Sequence, residues 1–479
     1  MKKETKRILA GAMCLTMLGV SGCGSKKGEN ADGENQKLRV FFMDSKTPDV
    51  DMVAEKVSEI TREKIGADVE FVMLDDYGTK LPMMIATDEP MDICWVNSDD
   101  LSERARKGAY ADLTELLDTT PDLKALFEDD FWKGVTINGH IYAIPTKKEM
   151  AEQWVCYAEE DFLKQSNITI DPNKIYSFKE LEPILEKLKE TGTRNGFEIG
   201  AKGQHNAMHK LNYFDTITGD FVVDKKTNKV QNYYMTSQFE EYIRLMRDWY
   251  NKGYIASDVA TRGGYKKEAG VTNGISYVSY APYNEVQATK YNKGVAVTPI
   301  KMTPCVITNQ STCGSAFAVL EKCKNKELAM KFLELWNTDP DVKNLITHGI
   351  EGVHYNLVDG KVEQVEGATS KYLNQNWASG NVFISKLYVG EPDDKWEKYD
   401  EFNKSATKSL TLGFFPEVKM INDKILACQG AAAEFTGLLS CGAVDPDEYL
   451  PKLKSSLEAS GVNDVVEELQ KQYDEWSKN

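Results

Sequence analysis

LRVFFM, residues 38–43, is the stretch on which the reading of the fold turns. A short run of this kind, apolar but for Arg39 and rich in aromatic and branched side chains, reads as a buried strand. Val50, Val53, Val57 and Ile60 then recur at helical spacing. VEFVM at 69–73 reads as a second strand, Tyr77–Thr87 as a helix and DICWVN at 92–97 as a third strand. Strand and helix alternate through short connections, which predicts a parallel sheet with right-handed crossovers. Ligands of such sheets bind beyond the carboxyl ends of the strands. That rule puts Phe42, Met43, Trp95, Val96, Asn97 and Ser98 on a rim.

Outward from this unit, GHIYAIP (139–145) reads as a strand ending in proline and QWVCY (153–157) as another. The segment between them is short, so the chain is expected to pass here from one lobe to a second. Phe178–Thr191, with Leu181, Leu185 and Leu188 on one face, and Phe239–Asn251, stopped by Gly253, read as amphipathic helices. GISYVSY (274–280) reads as a strand. VAVTPI (295–300) and SAFAVL (315–320) are strands expected to return to the first lobe, followed by a helix over Lys326–Trp336. Val462, Val465, Val466, Leu469, Tyr473 and Trp476 line one face of a last helix. A chain of 479 residues exceeds what one core supports. The expectation is two α/β lobes, 37–148 with 295–345 and 149–294 with 346–479.

The amino end carries its own signal. Lys2, Lys3, Lys6 and Arg7 precede an uncharged apolar run, Ile8 to Val20, that is too short for a stable bilayer span. It ends in Val20-Ser21-Gly22-Cys23, small residues before a cysteine. Residues 1–22 are expected to be a lipoprotein signal peptide. Residues 23–36 are expected to be a lipidated Cys23 and a polar, Gly-rich tether that buries nothing. Two or more acyl chains on Cys23 anchor a protein stably.

The net charge of −16 argues against nucleic acid as a partner. Beyond Cys23 the chain has Cys94, Cys156, Cys305, Cys313, Cys323, Cys428 and Cys441, an odd number without a C-x-x-C pair. They read mostly as buried thiols, with a Cys305–Cys313 pair left open.

Three sets of residues resemble the extracellular solute-binding proteins of bacterial ABC importers, of the maltose-binding-protein type. They are the Cys23 segment with its tether, the NGHIYAIP string (138–145) and NKELAMKFL (325–333). The segments around Thr338-Asp339-Pro340, GIEGVHY (349–355), GAVDP (442–446) and QKQYDEW (470–476) resemble a subgroup that accompanies carbohydrate use. The resemblance implies a two-lobed periplasmic-binding-protein-like fold with crossing hinge strands and a ligand cleft between the lobes. It also implies delivery of a ligand to ABC importer permease subunits from the outer face of the cell membrane. No enzyme activity and no cofactor are implied, and a monomer is expected.

No nucleotide-binding or common hydrolase motif occurs. His205 and His209 stand four apart but lack a third ligand nearby, so no metal site is expected. His348 and His354 flank Glu351 and read as structural or rim hydrogen-bonding groups. An oligosaccharide calls for aromatic faces and planar polar groups. Trp95 and Asn97 end a strand, Glu152 and Trp154 sit at the lobe crossing, and Tyr213 and Asp215 lie in NYFD. Tyr283 and Asn284 follow a strand, and Trp377 and Asn381 sit in NWASGN. These ten are the expected ligand-binding residues, although each aromatic among them is also a candidate core residue. A peptide or polyol ligand, and a lipid-anchored glycosidase with its two carboxylates hidden among the many acids, are the rival readings.

Cys23→Ala is expected to abolish acylation, releasing the protein or leaving it unprocessed. Mass spectrometry of the membrane fraction checks this; a mature amino end elsewhere, without lipid mass, sinks it.

Overall fold

A computed structural model describes residues 36–98, 100–192, 196–199, 206–261, 274–291 and 294–478, with backbone alone at 206–208, 290 and 291. The expected signal peptide, Cys23, the tether to residue 35 and His205 lie outside the described residues. Gln36, expected to close the tether, opens the first strand.

LRVFFM lies in strand Gln36–Phe42, parallel between Ala67–Met73 and Ile93–Val96. Helix Val50–Ile65 connects the first pair and buries Val50, Val53, Ala54 and Val57. Two polar residues of the same helix are satisfied by the strand that follows. Ser58 Oγ accepts from the Val69 amide at 3.0 Å, and Thr61 Oγ1 donates to the Ala67 carbonyl at 2.6 Å.

The sheet differs from the all-parallel expectation. Ala316–Val319 runs antiparallel beside Ile93–Val96, and Ile144–Pro145 runs antiparallel to Ala316–Val319 in turn. The cause is the direction of entry. The chain returns to this sheet at the edge where the parallel strands end, so the returning strand must run the other way. GHIYAIP is also divided. Thr136–Ile137 and His140–Ile141 form a hairpin turned by Asn138 and Gly139, both at positive φ, and only Ile144–Pro145 joins the sheet.

The apolar interior has two parts, one in each lobe. The first core runs from Leu38 to Ala151 and from Ile307 to Ile346, and adds Tyr372, Ala378, Phe402 and Leu412. The second runs from Cys156 to Met302 and from Phe414 to Tyr473. Two boundaries therefore differ from expectation. Val297–Lys301 pairs antiparallel with Trp154–Glu159 and places Ile300 in the second core, where 295–300 had been read into the first lobe. Residues 372–412 contribute to the first core, where 346–479 had been read wholly into the second lobe.

Three chain passages connect the cores, and they are hydrogen-bonded side by side. Glu152 and Val306 exchange both backbone bonds, at 2.7 and 2.9 Å. Thr303 Oγ1 accepts from the Trp154 amide at 2.9 Å, and Gln153 Nε2 donates to the Thr303 carbonyl at 3.1 Å. Val306–Ile307 then pairs in parallel with Thr407–Lys408, just before the third passage at Leu412–Phe414. Asn309 closes that passage: its Nδ2 donates to the carbonyls of Thr411 and Phe414, and its Oδ1 accepts from the Gly413 amide at 2.7 Å.

The seven cysteines from Cys94 to Cys441 are unbridged, so the Cys305–Cys313 pair is not formed. Six are buried and Cys305 is half-buried. Burial pushes the thiols of Cys94 and Cys323 up to about 12 and that of Cys305 to about 11. Among the described residues no helix is long and apolar enough to cross a membrane.

His209 is a core histidine, its Nδ1 3.0 Å from the Tyr233 hydroxyl, and burial lowers its pKa from 6.5 to about 4. His348 is lowered by burial to about 3 and lies 3.1 Å from Ser385 Oγ. An unfolded chain takes up these protons below about pH 6.5 and the folded chain does not until much lower, so stability falls as pH drops through that window. In denaturant titrations, His209→Gln should therefore lose less stability than the parent between pH 7 and pH 4.5. Parallel losses would refute the assignment.

Candidate functional site

The carboxyl edge of the first-lobe sheet is assembled from short polar contacts. Thr146 bonds the Ser315 carbonyl through its amide and lies 2.9 Å from Ser315 Oγ through its hydroxyl. Lys147 pairs with the 374–381 loop, its amide donating to the Gly380 carbonyl and its carbonyl accepting from Val382. Asp44, two residues beyond the first strand, accepts from the backbone of Ser45 and Gln375, and burial raises its pKa. Gln375 in turn accepts from the indole of Trp377 at 3.2 Å. Trp377 is 42% exposed, with the Lys148 ammonium 5.7 Å from its ring centre. Lys148 is paired with Glu149, and Asn403 clamps the backbone of 148–151.

The crossing segment presents a second aromatic group. The half-buried Trp154 indole donates to Glu152 Oε1 at 2.8 Å, and its ring lies 6.2 Å from that of Tyr277. Burial raises the pKa of Glu152, and the indole bond partly offsets this. Tyr280 is tied to the crossing through its amide and the Gln153 carbonyl, with its ring edge-on to Phe402. Among the described residues Tyr157 OH and Glu285 Oε2 are buried without a hydrogen-bond partner. Burial raises the pKa of Tyr157 and of Tyr280, each with a further contribution from Glu285.

The expected site residues divide accordingly. Trp377, Trp154 and Glu152 present groups at the sheet edge and the crossing. Asn97, half-buried, follows the Ile93–Val96 strand. Tyr283, at φ 67, donates from its hydroxyl to Asp394 at 2.7 Å, and Asn284 opens helix Asn284–Tyr291. Tyr213 is 38% exposed beside His209. Three others are buried instead. Trp95 is buried in the first core, its indole donating to Ser315 Oγ at 2.9 Å and its ring edge-on to Tyr77. Asp215 is buried, accepts from the Leu410 amide and pairs with Lys225. Asn381 is buried, caps Val382–Ile384 and donates to the Asn337 carbonyl. His354 joins Asp49 to the Ile350 amide. Asp44, Lys148, Gln375 and Glu285 escaped the sequence reading; Gln375 and Glu285 stand two residues from Trp377 and Tyr283, which is the one local signal for them. Among the described residues no group of three or more His, Cys, Asp or Glu is set to hold a metal.

Two α/β lobes joined by adjacent crossings, with polar and aromatic groups along them, define a two-lobed binding protein. The profile described as bacterial extracellular solute-binding protein matches residues 56–352, and this chain belongs to that family. A domain profile of unknown function matches residues 410–478. A carbohydrate ABC transporter substrate-binding protein of Streptococcus pneumoniae is 30% identical over the whole of both chains. The N-glycan transport solute-binding protein NgtS of the same species is 28% identical. One structure of it superposes with a TM-score of 0.81, covering 93% of this chain and 99% of that one. Its complex with Man5GlcNAc gives 0.69 at the same coverage.

Trp377→Ala is expected to weaken ligand binding about fivefold to tenfold, since ring stacking contributes ~1 kcal/mol, with little change in melting temperature. Trp95→Ala is expected to destabilise the fold by about 3–5 kcal/mol instead. Calorimetry of binding and of unfolding on both variants checks this, and the reverse pattern would sink the assignment.

Proposed function

We propose that this protein captures an oligosaccharide outside the cell and delivers it to the permease subunits of an ABC importer. The observation that carries this reading is the end-to-end likeness to a carbohydrate substrate-binding protein. The aromatic rings and acids described above suit such a ligand: rings pack on sugar C–H faces while carboxylates and amides bond hydroxyls. We assign ligand contacts to Trp154, Glu152, Trp377, Asn97, Tyr283, Asn284 and Tyr213, and add Lys148, Tyr280 and Glu285. The related proteins are named as binding components of transport, and capture requires no covalent step. We also propose acylation of Cys23, which would hold a monomer on the outer face of the cell membrane.

The lobes are assigned as 36–151 with 307–412, and 152–306 with 413–478. They close by hinge motion about the three passages, because a ligand touching both lobes favours the closed population. NgtS supports this reading. Against the present chain it scores 0.81 in one structure and 0.72 and 0.69 in two glycan complexes.

A thermal-shift panel of Man1GlcNAc, Man5GlcNAc, a maltooligosaccharide, a peptide and a polyol tests the ligand class. A ligand at a hundred times its Kd adds about 2.7 kcal/mol of stability, so a saccharide is expected to raise the melting temperature and to compact the protein in small-angle scattering. A shift from the peptide or polyol alone overturns the proposal, as does cleavage of a glycan on incubation.

A further inference from the structure

Lys343 lies on helix Pro340–His348 with its side chain fully buried. Its ammonium donates to Asn376 Oδ1 at 2.8 Å and to the Ser379 carbonyl at 2.5 Å, and lies 3.5 Å from Ser379 Oγ. All three oxygens belong to one loop, and they flank Trp377 on both sides in sequence. Removing an ammonium from water costs several kcal/mol, and neutral oxygens return less of it than a carboxylate. An apolar side chain of similar length would serve stability at least as well. Full burial pushes the Lys343 pKa well down, so what the amino group supplies is direction: its N–H donors fix where their acceptors sit.

The loop has a second anchor one residue further on. Gly380 accepts from the Lys147 amide at 3.1 Å, and at φ 63 it lies so close to Trp336 that an added Cβ would come within 2.9 Å of the indole nitrogen. Asn376 is thus held from beneath by Lys343 and Gly380 by the sheet edge, with the exposed ring of Trp377 between them. A binding group on a loop loses freedom when ligand arrives, and a loop already fixed loses less.

We infer that Lys343 is a positioning residue: it orders the 374–381 loop so that the Trp377 ring stands ready for ligand before ligand is present. The inference rests on the reading of Trp377 as a ligand contact.

The test is a double-mutant cycle on the full chain. Man5GlcNAc affinity is measured for the parent, Lys343→Met, Trp377→Ala and the pair, together with ligand-free amide hydrogen exchange. Lys343→Met is expected to speed exchange within 374–381 while leaving Gln36–Phe42 and the second core unchanged. It is expected to weaken binding about fivefold in the parent and less than about twofold in the Trp377→Ala background. A general structural defect would weaken both backgrounds equally and speed exchange throughout; either result overturns the inference, as does unchanged exchange in the loop. If Trp377→Ala alone leaves affinity intact, the ligand-contact reading falls, and the exchange data still decide whether Lys343 orders the loop. Should Lys343→Met fail to fold, Asn376→Ala removes one acceptor from the loop side and goes through the same cycle with the same expectations.

Discussion

Three passages of backbone must leave one core and enter another without stranding a polar group on the way. That constraint organises the molecule. Backbone amides and carbonyls out of water need partners, and here the passages supply them to one another. Glu152 and Val306 bond each other, Ile307 accepts from Ser409, and one asparagine side chain, Asn309, takes up Thr411, Gly413 and Phe414 together. Asp215 and Thr216 add bonds from the second lobe to Leu410 and Thr411. The result is a narrow bundle of paired chain between the two cores.

The same bundle explains where the interesting polar groups collect. Glu152 and Gln153 are crossing residues that lead into the Trp154–Glu159 strand, so the proposed hinge and the proposed ligand contacts share one stretch of chain. Tyr280 adds a further tie, its amide on the crossing and its ring on Phe402 of the first core. A change of angle at the passages therefore moves aromatic rings relative to the loop that bears Trp377.

The parallel strands were legible because each is a short, mostly apolar run, broken only by Arg39 and Glu70 in the first two, with a periodic helix between. The family resemblance rested on local strings that survive as turns and helix starts: Asn325 caps Lys326–Thr338, and Asp339 caps Pro340–His348. The lobe boundaries were less legible, because nothing local in VAVTPI says that its partner is Trp154–Glu159. Trp95 and Trp377 look alike in sequence. Only the neighbours decide between them, Ser315 taking the indole of the first while the second stays exposed. Asn381 and Asp215 show the same limit, since a buried cap and a ligand contact use the same chemistry. Lys343 was out of reach, because its acceptors lie more than thirty residues away.

The second core also sets an order of events during synthesis. It draws on residues from Cys156 onward and is completed by Val462, Val465, Leu469 and Tyr473 on the helix Val462–Trp476. A chain made from its amino end cannot seal that lobe until this last helix has emerged from the ribosome. Until then the surface it covers, strand Val230–Asn232 and the ring of Phe414, stays open, and contacts of such long sequence separation form slowly. The architecture thus leaves the second lobe open until the helix Val462–Trp476 has been made, whereas the buried residues of the first core end at Leu412.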